Sequence, residues 1–314
     1  MRACAPRAGF IALLVCCVSA HGVWAATGER VSFPSLDIDA ATGKPLMLSA
    51  LFFKPNASSG GFPAVVALHG CDGMYARRAG REDRLSARHQ AMADLLVAEG
   101  YAVLFPDSFN PRGRREVCSL PVREQPITQD HRRLDVLGAL DYLHSRPDIA
   151  HNRIALLGWS HGGSAVLASM NARHPVVADY LARLREPDEF YLTAIALYPG
   201  CFGSLRAREG YAPAAPVRIF IGESDDWTSP RPCTMLGEAM EAMDMPLHVR
   251  TYPDTYHAFD APRLSKQRLD FPNGVHPGQG VTVAANAEAR ADAYARIKAR
   301  LRAVLAPDVS EAGR

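Results

Sequence analysis

Residues 153–164 constrain the fold of this chain more than any other segment, because an apolar run there leads directly into a turn of small residues. Ser160 stands at the centre of the turn, in the sequence Gly158-Trp159-Ser160-His161-Gly162. So tight a turn leaves no room for a Cβ between strand and helix, which accounts for the two flanking glycines. It presents the hydroxyl beside the free N–H groups of a helix N-terminus. The alternative is a chance match, since short patterns of this kind recur in loops.

The rest of the chain alternates between strand-like and helical patterns, which predicts an α/β fold with a largely parallel sheet and helices on both faces. The strand-like runs lie at residues 31–38, 46–54, 63–68, 101–105, 154–157, 192–198, 217–221 and 247–252. The helical segments lie at residues 86–99, 128–145, 162–174, 175–190, 235–243 and 284–305. The first two strands are expected to form a hairpin at the sheet edge. No linker divides the chain, so residues 26–314 are expected to form one domain.

The first residues have the pattern of a secretory signal peptide. Two arginines precede an uncharged run at residues 10–18, and Ala25 and Ala26 provide a cleavage site. We therefore expect residues 1–25 to be removed and the mature chain to be exported, to the periplasm or outside the cell. A membrane anchor is the alternative, but the run is shorter than the roughly 20 residues that span a bilayer.

Four cysteines remain after the signal, and an even number in an exported chain favours disulfides. We expect the pairs Cys71–Cys118 and Cys201–Cys233, because each would join loops that follow neighbouring strands. Buried free thiols are the alternative.

Three reactive side chains follow predicted strands, at the edge of the sheet where ligands bind. They are Ser160, Asp225 and His257, and serine, acid and histidine is the chain order of α/β-hydrolases. A histidine can take and return the serine proton near neutral pH, while a carboxylate fixes its tautomer. Ser160 is therefore the expected nucleophile, His257 the base and Asp225 the acid.

Other residues compete for these roles. Asp226 is the alternative acid, because adjacent side chains of an extended segment point in opposite directions. The acid that does not face the histidine is expected to hydrogen bond within its loop. His248 falls inside a strand pattern and His276 in a Pro/Gly loop, so His257 is the preferred base.

An oxyanion hole is expected from two backbone N–H groups, those of His161 and Cys71. Candidate substrate-binding side chains are His69, Trp159 and Arg114, although His69 is more readily explained as a support for its own loop. Arg114 belongs to an arginine-rich loop that could pair with an anionic acyl group. Solvated loop charge is the alternative interpretation.

The ordered set of motifs resembles the dienelactone hydrolase family of α/β-hydrolases over residues 60–305. The motifs are His69-Gly-Cys71, Asp107-Ser-Phe109, Gly158-Trp-Ser-His-Gly162, Tyr198-Pro-Gly-Cys201, Gly222-Glu-Ser-Asp-Asp-Trp227 and His257-Ala-Phe259. The resemblance implies an α/β-hydrolase fold with about eight strands, hydrolysis of esters or lactones without a cofactor, and the triad Ser160, Asp225 and His257. Founding members of that family carry cysteine in place of Ser160. The resemblance therefore implies acyl-transfer chemistry, but it does not imply that a dienelactone is the substrate.

Together these features predict an exported serine hydrolase that acts on small-molecule carboxylic esters or lactones, with no cofactor and no metal. The net charge of +2 is too small to indicate a nucleic-acid partner. No membrane association is expected after signal cleavage, and the protein is expected to be a monomer or a weak homodimer. Two alternatives stay open: an exopeptidase or oligopeptidase with the same triad, and a hydrolase homologue that binds a ligand without turnover.

Overall fold

A computed structural model describes Met1, residues 26–56 and residues 61–306. Apart from Met1, the expected signal peptide lies outside the described residues, together with its cysteines. In the part of the chain that is described, no helix is both long enough and apolar enough to cross a bilayer.

The described residues contain a sheet of eight strands and a separate hairpin of two. The strands are β1 (Glu29–Ile38), β2 (Pro45–Phe53), β3 (Phe62–Leu68), β4 (Ala102–Asp107), β5 (Ile149–Trp159), β6 (Thr193–Leu197), β7 (Val217–Gly222), β8 (Leu247–Tyr252), β9 (Gln267–Leu269) and β10 (Val281–Val283). The helices are α1 (Ala87–Ala98), α2 (Gln129–His144), α3 (His161–Ser169), α4 (Pro175–Leu181), α5 (Phe202–Leu205), α6 (Pro230–Glu241) and α7 (Ala287–Leu305).

The large sheet has the strand order β1-β2-β4-β3-β5-β6-β7-β8. β1 and β2 form an antiparallel hairpin at one edge, and β2 also runs antiparallel to β4. The remaining neighbours, from β4 through β8, pair in parallel. The predicted fold class and the predicted edge hairpin are both confirmed.

Both faces of the sheet are covered, because every residue of β6 is buried and alternate side chains of a strand point to opposite faces. Within the helical layers, α2 packs against α3. Elsewhere, Arg302 of α7 donates a 2.7 Å hydrogen bond to Glu99, the residue that follows α1. The parallel arrangement brings the loops after β3, β5, β7 and β8 to one edge of the sheet.

The structure differs from the sequence prediction in several segments; for example, α5 was not predicted, and β5 and α6 each begin five residues earlier than expected. The helix predicted at residues 175–190 ends at Leu181 and is followed by a short 3₁₀ turn. The helix predicted at residues 162–174 ends at Ser169. The hairpin of β9 and β10 was not predicted, because strands of three residues are too short to show an alternating pattern.

Candidate active site

Ser160 occupies the sharp turn between β5 and α3, with φ of 51° and ψ of −117°. A non-glycine residue rarely adopts this conformation, and it is held here by close packing of the flanking glycines. A Cβ on Gly158 would lie 2.5 Å from the carbonyl oxygen of Gly162, and a Cβ on Gly162 would overlap the carbonyl oxygen of Leu68. Larger residues at either position would therefore force the strand and the helix apart.

His257 joins Ser160 to Asp225. Its Nδ1 lies 2.8 Å from Asp225 Oδ2, and its Nε2 lies 3.0 Å from Ser160 Oγ. With the proton on Nδ1, the ring donates a hydrogen bond to the carboxylate, and Nε2 accepts a hydrogen bond from the serine hydroxyl. All three residues are buried, with exposed fractions of 8% for Ser160, 3% for Asp225 and 2% for His257. The structure thus brings the three predicted residues together in hydrogen-bonding order.

The carboxylate of Asp225 is fixed by the turn that follows it. The backbone N–H groups of Trp227 and Thr228 donate to its Oδ1 at 2.9 and 2.8 Å. The hydroxyl of Thr228 lies 3.0 Å from its Oδ2 and 3.1 Å from the Nδ1 of His257. Sequence reasoning did not identify Thr228, although a threonine three residues after an aspartate is a common capping pattern.

Asp226, the alternative acid, points toward the β9–β10 hairpin instead. It accepts hydrogen bonds from the backbone N–H of Thr282 at 2.6 Å, from the Thr282 hydroxyl at 2.8 Å and from Arg268 at 3.1 Å. Partial burial raises the pKa of Asp226, but these donors outweigh burial and lower the pKa below its usual value. The structure therefore places Asp225, not Asp226, beside the histidine.

The two backbone N–H groups predicted to form an oxyanion hole belong to segments next to Ser160. His161 is the first residue of α3, and Cys71 lies in the loop after β3. A Cβ on Gly70, the residue before Cys71, would lie 3.6 Å from the Cβ of Ser160. Within the described residues, neither N–H donates to a protein acceptor. Both groups are therefore available to an oxygen bound at the serine.

The disulfide between Cys71 and Cys118 ties the loop after β3 to the loop after β4. Val117 also donates a backbone hydrogen bond of 2.8 Å to the carbonyl oxygen of Cys71. A second disulfide joins Cys201, after β6, to Cys233 in α6. These are the two pairs expected from the sequence.

The side chain of His161 is a support rather than a second base. Its Nδ1 lies 3.0 Å from Nη1 of Arg132, which also donates to the carbonyl oxygen of His69 at 2.8 Å. Burial, followed by the charge of Arg132, lowers the pKa of His161 to about 3. The imidazole is consequently neutral near physiological pH. Sequence reasoning missed Arg132, because the helical pattern of α2 does not reveal a buried guanidinium.

The three side chains considered for substrate binding do not reach the pockets at Ser160, and these expectations are corrected. Trp159 is buried in the core, where its Nε1 donates to Asp260 at 2.8 Å. His69 is also buried, and its ring contacts the carbonyl oxygen of Gly70 at 2.8 Å. Arg114 is exposed and lines neither pocket. The charge of Arg114 is therefore solvated loop charge, which was the alternative interpretation.

Arg112, in the same loop, is directed away from the site by an ion pair. Its guanidinium contacts Asp37 at 2.6 Å and the buried Asp135 at 2.8 Å. The loop is thereby fastened to β1 and α2, which explains why it does not fold inward over the serine.

Two pockets open at Ser160 and share Cys71, Ser160 and Trp227 in their walls. The large pocket has a volume of about 940 Å³ and extends along α3 past Ser164. The small pocket has a volume of about 500 Å³ and includes His257 in its wall. In the described ranges, no cluster of histidine, cysteine, aspartate or glutamate residues has the arrangement of a metal site.

Solved structures of known proteins share this fold. The dienelactone hydrolase-like promiscuous phosphotriesterase P91 from metagenomic libraries aligns with a TM-score of 0.59 and 16% identity, over 88% of this chain and 99% of that one. Esterase 2 of Thermogutta terrifontis, phosphorylated by paraoxon, aligns with a TM-score of 0.57 and 13% identity, over 91% of this chain and 98% of that one.

Among curated sequences, the protein YtaP of Bacillus subtilis (strain 168) is 31% identical over 123 residues. That match covers 36% of this chain and 40% of YtaP, so the chain spans two fifths of that relative. The model of the dienelactone hydrolase family matches residues 48–305, which include the loops after β3, β5, β7 and β8. The predicted resemblance is thus confirmed, and the chain belongs to the dienelactone hydrolase family.

Proposed function

We propose that the protein is an exported serine hydrolase that cleaves carboxylic esters or lactones through an acyl-enzyme. The observation that carries the proposal is the position of His257, within hydrogen-bonding distance of both Ser160 Oγ and Asp225 Oδ2. A free serine hydroxyl is a weak nucleophile, so a base must remove its proton as it attacks. This arrangement provides the base and fixes its tautomer.

In the first half of the reaction, Ser160 Oγ forms a bond to the carbonyl carbon and its proton passes to Nε2 of His257. The backbone N–H groups of Cys71 and His161 stabilise the negative oxygen, and a preorganised donor of this kind contributes about 3–4 kcal/mol. The bond to the leaving oxygen then breaks, and His257 returns the proton to that oxygen. The product of this half is an ester of Ser160 together with the free alcohol.

In the second half, water takes the place of the alcohol. His257 removes a proton from the water as its oxygen attacks the acyl carbon, and the second tetrahedral intermediate uses the same two N–H groups. When the bond to Ser160 breaks, the proton returns to Oγ. The net reaction adds one water to the ester and regenerates the free enzyme, so no cofactor is required.

Fluorophosphonate labelling tests the proposal, because a phosphonate reacts with an activated serine. The phosphorylation of Thermogutta terrifontis esterase 2 by paraoxon, in a protein of the same fold, supports the choice of probe. Labelling of the mature protein is expected, and Ser160→Ala is expected to abolish it. Ser169→Ala is the matched control, since Ser169 is a buried serine at the end of α3.

Equal labelling of the Ser160→Ala variant would overturn the proposal. The same preparations are assayed on p-nitrophenyl esters and on aminoacyl p-nitroanilides. Faster Ser160-dependent turnover of the anilides would favour the exopeptidase alternative over ester hydrolysis.

Export is supported by the two disulfides, since such bonds persist in oxidising compartments. Expression of the full chain with its leader in a bacterial host, followed by fractionation, tests this part of the proposal. The mature form is expected outside the cytoplasm with both disulfides intact. Recovery of a reduced, unprocessed chain in the cytoplasm would contradict export.

A further inference from the structure

Residues 271–275, here called the arch, contribute to both pockets: Phe271 lines the small pocket, and Asn273, Gly274 and Val275 line the large one. The ring of Phe271 packs on Trp227, with centroids 5.2 Å apart. Further along the same segment, Asn273 accepts from the backbone N–H of Val122 at 2.8 Å and donates to the carbonyl oxygen of Leu120 at 2.7 Å. The two parts of a substrate that meet at the scissile bond can therefore extend from Ser160 into different pockets.

The position of His257 assigns the two pockets. Histidine gives its proton to the leaving oxygen, so the alcohol must lie on the side of the imidazole. His257 lines the small pocket and does not line the large one. The alcohol accordingly belongs in the small pocket, and the acyl group extends from Ser160 into the large pocket.

Three exposed apolar side chains lie in the wall of the large pocket. Val122 is 68% exposed, Phe202 is 61% exposed and Val275 is 42% exposed, and all three line this pocket. Soluble proteins rarely group exposed apolar side chains without a binding role, because each one orders water that a ligand would release. The pocket volume of about 940 Å³ lies near the upper end of the range for small-molecule sites.

The small pocket differs from the large one mainly in size, because charged side chains line both pockets; those of the large pocket are Asp130, Arg133 and Glu209. Its volume is about 500 Å³, and its wall carries the charged side chains of Asp72, Arg77, Arg88 and Arg263. A compact alcohol fits this volume better than a long acyl chain does.

We infer that the substrates are open-chain esters whose acyl group is apolar and larger than the alcohol, with its far end over Val122, Phe202 and Val275. The inference rests on the proposed ester hydrolysis at Ser160. A lactone keeps its acyl carbon and its leaving oxygen in one ring, so the pair of pockets favours open-chain esters over lactones. Phe202 is thereby a specificity-determining residue.

The test uses p-nitrophenyl acetate, butanoate and octanoate, which share a leaving group and differ in acyl length. The kcat/KM of the wild-type protein is expected to rise from acetate to octanoate. Phe202→Ser is expected to lower the octanoate-to-acetate ratio of kcat/KM by about tenfold, in line with the loss of an apolar contact in a specificity pocket. The matched control is Met47→Ser, which removes a 53% exposed side chain from β2 and is expected to leave the ratio unchanged.

A pair of filling substitutions tests the assignment of the pockets independently. Ala168 lines the large pocket and Ala261 lines the small one. Ala168→Phe is expected to slow octanoate more than acetate. Ala261→Phe is expected to slow benzyl acetate relative to methyl acetate and to leave the dependence on acyl length intact. The opposite pairing of effects would overturn the assignment.

Failure of this inference is distinguishable from failure of the proposed function. If no ester is hydrolysed in a Ser160-dependent manner, the proposed function is wrong. If Ser160-dependent hydrolysis is indifferent to acyl length in both the wild type and Phe202→Ser, only the inference is overturned. Faster hydrolysis of a six-membered lactone than of ethyl octanoate would likewise overturn only the inference.

Discussion

At the residue scale, the orientation of His257 depends on the side chains that surround its ring, among them Trp227, whose ring centroid lies 4.7 Å away. Asp225 and Thr228 lie 2.8 and 3.1 Å from Nδ1, and the ring of Tyr198 packs edge-on with centroids 4.5 Å apart. Tyr198 is itself fixed by a 2.5 Å hydrogen bond from its hydroxyl to the buried Asp260. The imidazole is therefore positioned before any substrate binds, which is the condition for efficient proton transfer.

The two adjacent aspartates are expected to respond differently to removal of their charge. Asp225→Asn is expected to lower kcat by about 10³–10⁴-fold, because the amide favours the wrong tautomer of His257. Asp226→Asn is expected to keep kcat within a few-fold and to lower thermal stability, since it weakens the contacts to Thr282 and Arg268. Steady-state kinetics and thermal unfolding of both variants provide the comparison, and a larger kcat loss in Asp226→Asn would contradict it.

The sequence favoured Asp225 as the acid but left Asp226 open as the alternative. Side-chain direction at Asp225 and Asp226 depends on the turn after β7, in which the Asp225 N–H donates to Gly222. Asp260 was missed for a related reason, because its partners Trp159 and Tyr198 come from distant segments. Local patterns carry no information on such contacts.

At the element scale, the loop after β3 carries the proposed oxyanion donor Cys71 and is held by the Cys71–Cys118 disulfide. The bond closes a segment of 47 residues, and a crosslink of that span stabilises a fold by about 2–4 kcal/mol. It also limits the movement of the Cys71 N–H relative to Ser160. Stability and catalysis are thus linked through one covalent bond.

Cys118→Ala is expected to lower kcat on p-nitrophenyl acetate by about tenfold with little change in KM, since oxyanion stabilisation acts on the transition state. Cys233→Ala provides the control, because it breaks the disulfide on the other side of the site and leaves the Cys71 loop in place. Kinetics and urea unfolding are measured for both variants. Equal kcat losses in the two variants would indicate a general loosening rather than an effect on the Cys71 donor.

The N-terminal segment of the expected mature chain docks on α1. The backbone N–H of Ala26 donates to Asp94 at 2.8 Å, and Gln90 donates to the Ala26 carbonyl oxygen at 3.0 Å. Cleavage after Ala25 would convert this N–H into a charged ammonium group beside a carboxylate, whereas cleavage after Ala26 would remove it. Of the two expected cleavage sites, only the first would leave this ion pair in the folded mature chain.

The mass of the mature protein is expected to correspond to a chain that begins at Ala26. Asp94→Asn is expected to destabilise that form by about 0.5–1 kcal/mol, the range for a partly exposed ion pair, and to have a smaller effect on a chain that begins at Thr27. Mass spectrometry and thermal unfolding measure the two quantities. A mature N-terminus at Thr27, or equal destabilisation of both chains, would contradict the ion pair.

The elements themselves were predictable where apolar runs are long, as for β3 and β5, because burial on both faces leaves a continuous apolar signal. The β9–β10 hairpin was not predictable, and yet it forms the arch and binds Asp226. Its strands are short, and its position depends on contacts with the loop after β4. For that reason, the sequence could not predict the division of the site into two pockets.

At the scale of the whole molecule, buried neutral histidines make stability depend on pH. Burial, followed by the charge of Arg88, lowers the pKa of His89 from about 6.5 to about 4. Burial and Arg132 lower the pKa of His161 to about 3. The unfolded chain binds protons at both positions near pH 6.5, whereas the folded protein resists protonation until the pH is far lower. This stabilisation is complete above pH 6.5 and is lost as the pH falls through the folded pKa values.

The free energy of unfolding is therefore expected to fall between pH 6.5 and pH 4, by about 1.4 kcal/mol per pH unit for each histidine. Urea unfolding at pH 7, 6 and 5 measures this slope. In His89→Gln the slope is expected to be shallower by the contribution of one histidine, about 1.4 kcal/mol per pH unit. A free energy of unfolding that is constant or rising from pH 7 to pH 5 would contradict the neutral buried state.

Trapping the acyl-enzyme tests the central claim, nucleophilic attack by Ser160, most directly. The protein is mixed with p-nitrophenyl octanoate, quenched in acid within the first turnovers and digested for mass spectrometry. The expected result is an octanoyl adduct on the peptide that contains Ser160, absent from Ser160→Ala and accumulating in Asp225→Asn if deacylation is slowed more than acylation. Continued ester turnover with no adduct on Ser160, or with an adduct on another residue, would contradict the claim.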